Sequence, residues 1–383
     1  MKMTLAKMPR LKGIITMPKK LIAITWQDLH LDPVLLYTLF ILIASGLFIL
    51  YSASYENIWI LANQSLRLGI GVVVMFVFAQ IHPRRYYQWA DHFFILTIGL
   101  LLFVFVLGHI AKGAQRWINV GLFHIQPAEL MKISIPLILA KYISQKPLPI
   151  RFYDIMISLV IIFIPVILIL HQPDLGTAII ISLSGFSVLF LAGLTWRLIV
   201  ALFSCVALSI PVLWHYMQSY QKMRILTFLN PERDPLGNGY HIIQSKIAIG
   251  SGGLIGKGWL QGTQSHLHFL PEHATDFIFA VAGEELGLLG CTALLTLYLI
   301  IFFRFLYISS QTTTTFAKLF IGSIAITFFI SVLINVGMVL GLLPVVGIPL
   351  PLVSYGGTSM ITLMMSFGMV MSIFTHRNLY KRQ

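Results

Sequence analysis

Apolar residues run through this chain in long blocks with short polar breaks between them. Ten blocks approach the length of about 20 residues that a helix needs to cross a bilayer. They lie at 34–53, 64–81, 92–110, 127–145, 155–171, 176–194, 197–217, 284–307, 316–341 and 358–375. Two are impure: Arg67 interrupts the second, and Glu129, Lys132 and Lys141 interrupt the fourth. No polar stretch is long enough to build a soluble domain. The pattern therefore predicts an all-α polytopic membrane protein of about ten transmembrane helices. Residues 1–33 form a basic N-terminal tail broken by Pro9, Pro18 and Pro33. Residues 34–375 form one membrane domain, and 376–383 a short basic C-terminal tail. No short apolar core followed by a small-residue cleavage site opens the chain, so the tail reads as a topological signal.

Charge orients the predicted spans. Arg84, Arg85, Lys141, Lys146, Arg151, Arg197, Arg304, Lys318, Arg377, Lys381 and Arg382 all fall on the side of the N-terminus. The opposite short loops, 54–63, 172–175 and 342–357, contain no Lys or Arg. By the positive-inside rule both termini are cytoplasmic. Lys112 and Arg116 break the rule in the outer loop 111–126, which marks them for function. Composition agrees with the spans. Of 383 residues 57% are hydrophobic and 10% charged, against about 25% charged in soluble domains, and the mean hydropathy is +0.87. The net charge of +13 is largely this topological signal, with a remainder outside that suits an anionic ligand and no call for nucleic acid. Cys205 and Cys291 lie in apolar runs far apart, without metal or disulfide spacing.

One outer loop is long, residues 218–275 between the seventh and eighth spans. Its segment Tyr240–Ile249 has helical spacing and is expected to lie at the membrane interface. Glycines 250, 252, 253, 256, 258 and 262 follow. They do not form a nucleotide-binding loop: five residues rather than four separate Gly250 from Gly256 and Lys257, and Gly258 replaces the Ser or Thr. Flexible turns are the plainer reading, a backbone nest for a diphosphate the bolder one. His266, His268 and His273 have no trusted metal-ligand spacing.

The thirteen carboxylates divide in two. Asp28, Asp32, Glu56, Asp91, Asp154, Glu232 and Asp234 sit in loops or at span ends, where solvation suffices. Glu129, Asp174, Glu272, Asp276, Glu284 and Glu285 adjoin or enter spans, where ionisable groups are expensive and usually functional. In FLPEHATDFIFAVAGEELG (269–287) Pro271 can start a helix that puts Glu272 and Asp276 on one face. Asp276 then reads equally well as a general base at the outer boundary or as the cap of a helix starting at Phe277. HIQPAELMK (124–132) and HQPDLGTA (171–178) each place an acid after Gln-Pro. Glu129 and Asp174 either favour their helix dipoles or line a shared cleft with Lys112 and Arg116. PVVGIPLPLVSYGGTS (344–359) holds three prolines and no charge, and is expected to pack back into the membrane or against a lipid tail.

Six motifs in order, GAQRWINVG, QPAELMK, QPDLGTA, NPERDPLGNGYHIIQSKIAIGSGGLIGKG, FLPEHATDFIFAVAGEELG and GIPLPLVSYGGTS, resemble the SEDS family (shape, elongation, division and sporulation), nearest its elongation branch. The resemblance covers nearly the whole chain after the tail. It implies a ten-helix peptidoglycan glycosyltransferase that polymerises lipid II on the outer face of the bacterial cytoplasmic membrane. It also implies a class B penicillin-binding protein as transpeptidase partner, alongside elongation-complex membrane proteins. The essential acid it implies is Asp276, with Ala274 a departure where a basic residue is expected. Such chemistry needs a base for a sugar hydroxyl: Asp276, tuned by Glu272 or Glu129. It needs cations, or a divalent Mg or Mn ion, for the undecaprenyl diphosphate leaving group. Lys112, Arg116, Arg224 and Lys257 are the outer basic residues, with Asp174 beside them. The rival readings are a lipid II flippase, which should carry polar groups on both faces, and a non-catalytic scaffold that activates a penicillin-binding protein.

Overall fold

The computed structural model describes residues 29–107, 109–111, 114–120, 123–217, 219–233, 237–266 and 272–380. Most of the N-terminal tail, Lys112, Asp234, His268 and Pro271 lie outside these residues. The first helices are α1 (Pro33–Ala53), α2 (Ile58–Gln80) and α3 (Pro83–Leu107). Three strands follow: β1 (His109–Ala111), β2 (Ala114–Val120) and β3 (Phe123–Ile125). Then come α4 (Pro127–Ser144), α5 (Phe152–His171), α6 (Leu175–Leu191) and α7 (Trp196–Tyr216). The long loop holds α8 (Ser219–Leu229), α9 (Asn238–Gly252) and the single turn α10 (Thr263–His266). The chain closes with α11 (Ile278–Gln311), α12 (Thr315–Val339) and α13 (Thr358–Tyr380).

Each of the ten apolar blocks falls mainly on one helix, α1 to α7 and α11 to α13, though the third, 92–110, overruns α3 into β1. Among the described residues seven helices are long and apolar enough to cross a membrane by length and composition: α1, α2, α3, α5, α11, α12 and α13. α6 is apolar but only 17 residues long. Helices outrun the apolar blocks where their first turns are polar. α3 starts at Pro83 rather than 92, because Arg84, Arg85 and Trp89 suit a helix end at the interface. α13 continues to Tyr380, past the boundary at 376 that its apolar run predicts. Local caps set several starts. Asp32 accepts from the Leu35 amide at 2.9 Å ahead of Pro33, Asn57 caps α2, and Thr314 caps α12.

Three expectations are corrected here. The fold is not purely α: the loop after α3 forms a three-stranded antiparallel sheet in the order β1-β2-β3. Ile110 pairs with Gln115, and Asn119 with His124. Trp117, Ile118 and Val120 favour strand, and glycines 113 and 121 flank the segment. Second, Asp32 and Asp154 are not solvated. Arg304 of α11 grips Asp32 through two bonds, at 3.1 and 2.6 Å. Asp154 accepts from the Tyr142 hydroxyl at 2.9 Å and faces Lys146 at 3.2 Å. Position at a helix end says nothing of the neighbour across the bundle. Third, α9 does not simply lie at the interface. Its Ile242, Ser245 and Ala248 are buried, and the Ser245 hydroxyl donates to the Val339 carbonyl at 2.9 Å.

α12 sits at the centre and buries residues all round rather than along one stripe. It packs against α11, α6, α4 and α9. α2 and α13 approach so closely that a Cβ at Gly368 would lie 2.3 Å from the Met75 carbonyl. Close backbone approach at small residues is how helices associate in lipid. The glycine run has an equally specific use. α11 breaks at Gly287, whose φ is +64°. The strap after α9 fills the break: the amides of Lys257 and Gly258 donate to the carbonyls of Glu284 and Glu285, and those of Leu288 and Leu289 to Gly253 and Leu254. A Cβ at Gly256 would lie 2.1 Å from the Glu285 carbonyl. These glycines are backbone contacts and not loose turns.

Candidate active site

Asp276 lies at the end of a turn, residues 272–277, immediately before α11. No helix joins it to Glu272, whose φ of +53° turns the chain instead. The predicted shared helical face is therefore absent, because the Thr275 and Phe277 amides both fold back onto the Glu272 carbonyl. α11 starts at Ile278, one residue later than the capping reading placed it, with Phe277 at the N-cap position. Glu272 is exposed and accepts from the Thr275 hydroxyl at 2.7 Å.

Three neighbours hold the turn by its backbone. The Tyr355 amide donates to the Ala274 carbonyl at 2.8 Å, so that the missing side chain at Ala274 is not what holds the segment. The Ser354 hydroxyl donates to the Thr275 carbonyl at 2.5 Å. The Asn335 amide of α12 donates to the Asp276 carbonyl at 2.9 Å. Asp276 is partly exposed, and its Oδ2 lies 3.6 Å from where a Cβ on Gly347 would stand. Its carboxylate thus faces the proline-rich segment 344–357. That segment is folded into the bundle, with Ile348, Leu350, Leu352 and Val353 buried. On its outer side Tyr55 meets the His273 ring edge-on at 4.7 Å, and burial raises the Tyr55 phenol above its ordinary value.

The other predicted residues gather in separate groups around the same segment. Glu129, in the first turn of α4, pairs with Lys132 at 2.7 Å. Both line a cavity of about 80 Å³ with Ser354, Ser359, Thr362 and Phe328. Asp174 caps α6, accepting from the Thr177 amide at 3.2 Å and from Gln126 at 2.9 Å. The two Gln-Pro patches are thereby joined. Arg116 binds the Gln172 carbonyl at 2.9 Å and the Pro173 carbonyl, with Asp174 at 3.8 Å. A Cβ on Gly176 would lie 2.7 Å from the Val346 carbonyl, so this group abuts the proline-rich segment too.

Lys257 pairs with fully buried Glu284 at 2.7 Å, and Glu284 also accepts from Thr263 and from the Gln264 amide. Buried Glu285 accepts from Ser52 of α1. These two acids brace the break in α11. Arg224 is half-buried on α8 and takes no part in the contacts above. Lys112 and His268 lie outside the described residues. Among the described residues no three His, Cys, Asp or Glu side chains converge as a metal cage.

Lys132 lies within a motif, whereas Arg67, Gln64 and Asn335 escape a motif search. Lys132 is legible as the partner of Glu129 at i+3. Arg67 lies over the Tyr355 ring at 4.8 Å, and its signal is the charge that spoils its apolar block. Gln64 donates to the Ser354 carbonyl at 3.2 Å, and Asn335 is a lone amide in the apolar run SVLINVGMV.

Residues 32–379 match the family of cell cycle proteins defined by FtsW, RodA and SpoVE. The peptidoglycan glycosyltransferase MrdB of Escherichia coli strain K12 is 50% identical over 358 residues, which cover 93% of this chain and 97% of that protein. One chain of a solved peptidoglycan synthase complex, in which polymerization and crosslinking are coordinated, superposes with a TM-score of 0.80 at 34% identity. The match covers 92% of this chain and 99% of that one. The rod shape determining protein RodA of Thermus thermophilus superposes with a TM-score of 0.69 at 30% identity, covering 91% and 98%.

Proposed function

The chain belongs to the FtsW–RodA–SpoVE family of cell cycle proteins, and from that premise we propose how this peptidoglycan glycosyltransferase works. It is an integral membrane protein of the elongation branch, ten-spanning, in the bacterial inner membrane. It polymerises lipid II at the periplasmic face, where Asp276 is the general base. The observation that carries this reading is the placement of Asp276: a partly exposed carboxylate on a turn held by three backbone contacts, facing a buried proline-rich segment.

The chemistry follows from the parts. The 4-hydroxyl of one sugar attacks the anomeric carbon of another. The new C–O bond forms as the anomeric carbon–phosphate oxygen bond breaks. The diphosphate leaves with the electron pair, and Asp276 takes the hydroxyl proton. Lys132 on the cavity wall and Arg67 beside Tyr355 are placed to meet the departing negative charge. Arg116 and Lys257 are held by carbonyls and by Glu284, which suits them to shape the cleft rather than to bind the diphosphate. A class B penicillin-binding protein is the partner that crosslinks the product.

The test is reconstitution of the purified chain, alone and with that partner, its active serine blocked, on labelled lipid II. Glycan ladders support the reading. Lipid II crossing liposome bilayers without ladders would replace it with a flippase, and ladders that need only the partner would replace it with a scaffold.

A further inference from the structure

Asn335 holds the Asp276 turn by one bond, and its other contacts give it a wider role. Asn335 stands near the C-terminal end of α12, a helix buried on all sides, with no exposed surface. Its Nδ2 donates to two carbonyls from different parts of the chain, Asp276 at 2.9 Å and Ile348 at 2.7 Å. Both neighbours are acceptors, so the amide orientation is forced: a flipped Oδ1 would face two oxygens. Among the described residues its Oδ1 has no hydrogen-bond partner. A buried orphan acceptor is unfavourable and calls for an explanation. An apolar residue would suit a central membrane helix better, unless the two donated bonds serve geometry.

We propose that Asn335 is a positioning residue for Asp276, tying the acid-bearing turn to the proline-rich segment at a fixed spacing across α12. The proposal rests on the reading of Asp276 as the base. The two carbonyls belong to the two pieces that the carboxylate must bridge, since Oδ2 of Asp276 faces Gly347, one residue before Ile348. Ser354 makes the parallel tie: its hydroxyl donates to the Thr275 carbonyl while accepting from the Leu350 amide at 2.8 Å. The segment is thus pinned on both sides of Asp276, and misplacement by about 1 Å is enough to cost about 100-fold in rate.

The experiment uses the full chain with lipid II. Asn335→Asp keeps the shape but, once ionised, sets an acceptor against two carbonyls. It should lower kcat at least 30-fold, with KM for lipid II within threefold of wild type. The acid limb of the pH–rate profile should move, because the surroundings of Asp276 change. A lesion that only reduced the amount of folded protein would scale the profile without moving it. Asn335→Ser, with one donor, should fall between, and is read by the same criteria if the Asp variant does not fold. A kcat within threefold of wild type and an unmoved profile would overturn the proposal. Asp276→Asn, run alongside, separates the two claims: its loss of activity with Asn335→Asp intact removes only the positioning role, whereas full activity of Asp276→Asn removes the base and the positioning role with it.

Discussion

Glu129 is tolerable at its depth because Lys132 stands one turn further along α4 and meets it at 2.7 Å. Lys132→Met would leave a buried carboxylate alone, a loss of about 3–5 kcal/mol. The thermal midpoint in detergent should fall accordingly, and Glu129→Gln in the same chain should restore much of it without restoring activity. An unchanged midpoint in the single variant would show that the pair does not matter to the fold. A second residue-scale expectation concerns pH. His82, in the turn between α2 and α3, is held below the ordinary imidazole value by burial first, then by His376, Arg84 and Arg85. Its neutral form is favoured in the fold. Its contribution is present above the unfolded value of about 6.5 and is lost as pH falls through the lowered folded value. His30 stacks on His376 at 4.0 Å, and His376 in turn meets His82, so the informative quantity is a difference. The midpoint should drop less between pH 7 and pH 5 (roughly the range around the reference value) in His82→Gln than in wild type; equal drops would contradict this. Single residues were legible where chemistry is rare in an apolar chain. Asp276, Glu129 and Asp174 stood out as acids beside spans, and the structure sets all three around one segment. Asn335 and Gln64 did not, because an uncharged amide in an apolar run carries no sign of its partner.

Among elements, the break in α11 is the feature whose meaning the linear pattern hides. The strap after α9 supplies and accepts the backbone hydrogen bonds that a continuous helix would have made, and glycine is required on both sides of the contact. Gly256 has a φ of +90° as well as no room for a Cβ. Gly256→Ala should therefore destabilise by about 1–3 kcal/mol, from overpacking and left-handed strain together. A thermal shift assay reads it directly, and a variant as stable as wild type would show that the strap can move aside. Helices were readable from apolar periodicity because length alone nearly decides them in a membrane protein. The sheet was not, since three short strands in a loop lack any apolar block. The turn at 272–277 was misread as a helix for a related reason: a proline and acids spaced i and i+4 are permissive signals, and the tertiary contacts to Ser354, Tyr355 and Asn335 decide otherwise.

The whole molecule is a bundle that holds the segment 344–357 from several sides. α4, α6, α12 and the turn before α11 all reach residues 344–357, and α2 reaches them through Gln64 and Arg67. Gln64, Arg67, Glu129, Lys132 and Asn335 thus meet from three helices at a segment that has no charge of its own. This convergence is what a motif search approximates when six ordered motifs fall on loops that are far apart in sequence. The motifs give the class of reaction; the bundle gives the reason they must occur together. The central claim is that the Asp276 carboxylate takes the proton in glycan polymerisation. The direct measurement is the single-turnover rate of lipid II coupling by purified Asp276→Asn against wild type, both checked for the same thermal midpoint. Loss of a general base predicts a fall of about 100- to 10,000-fold at unchanged lipid II affinity. A variant that folds alike and polymerises within a few-fold of wild type would contradict the account.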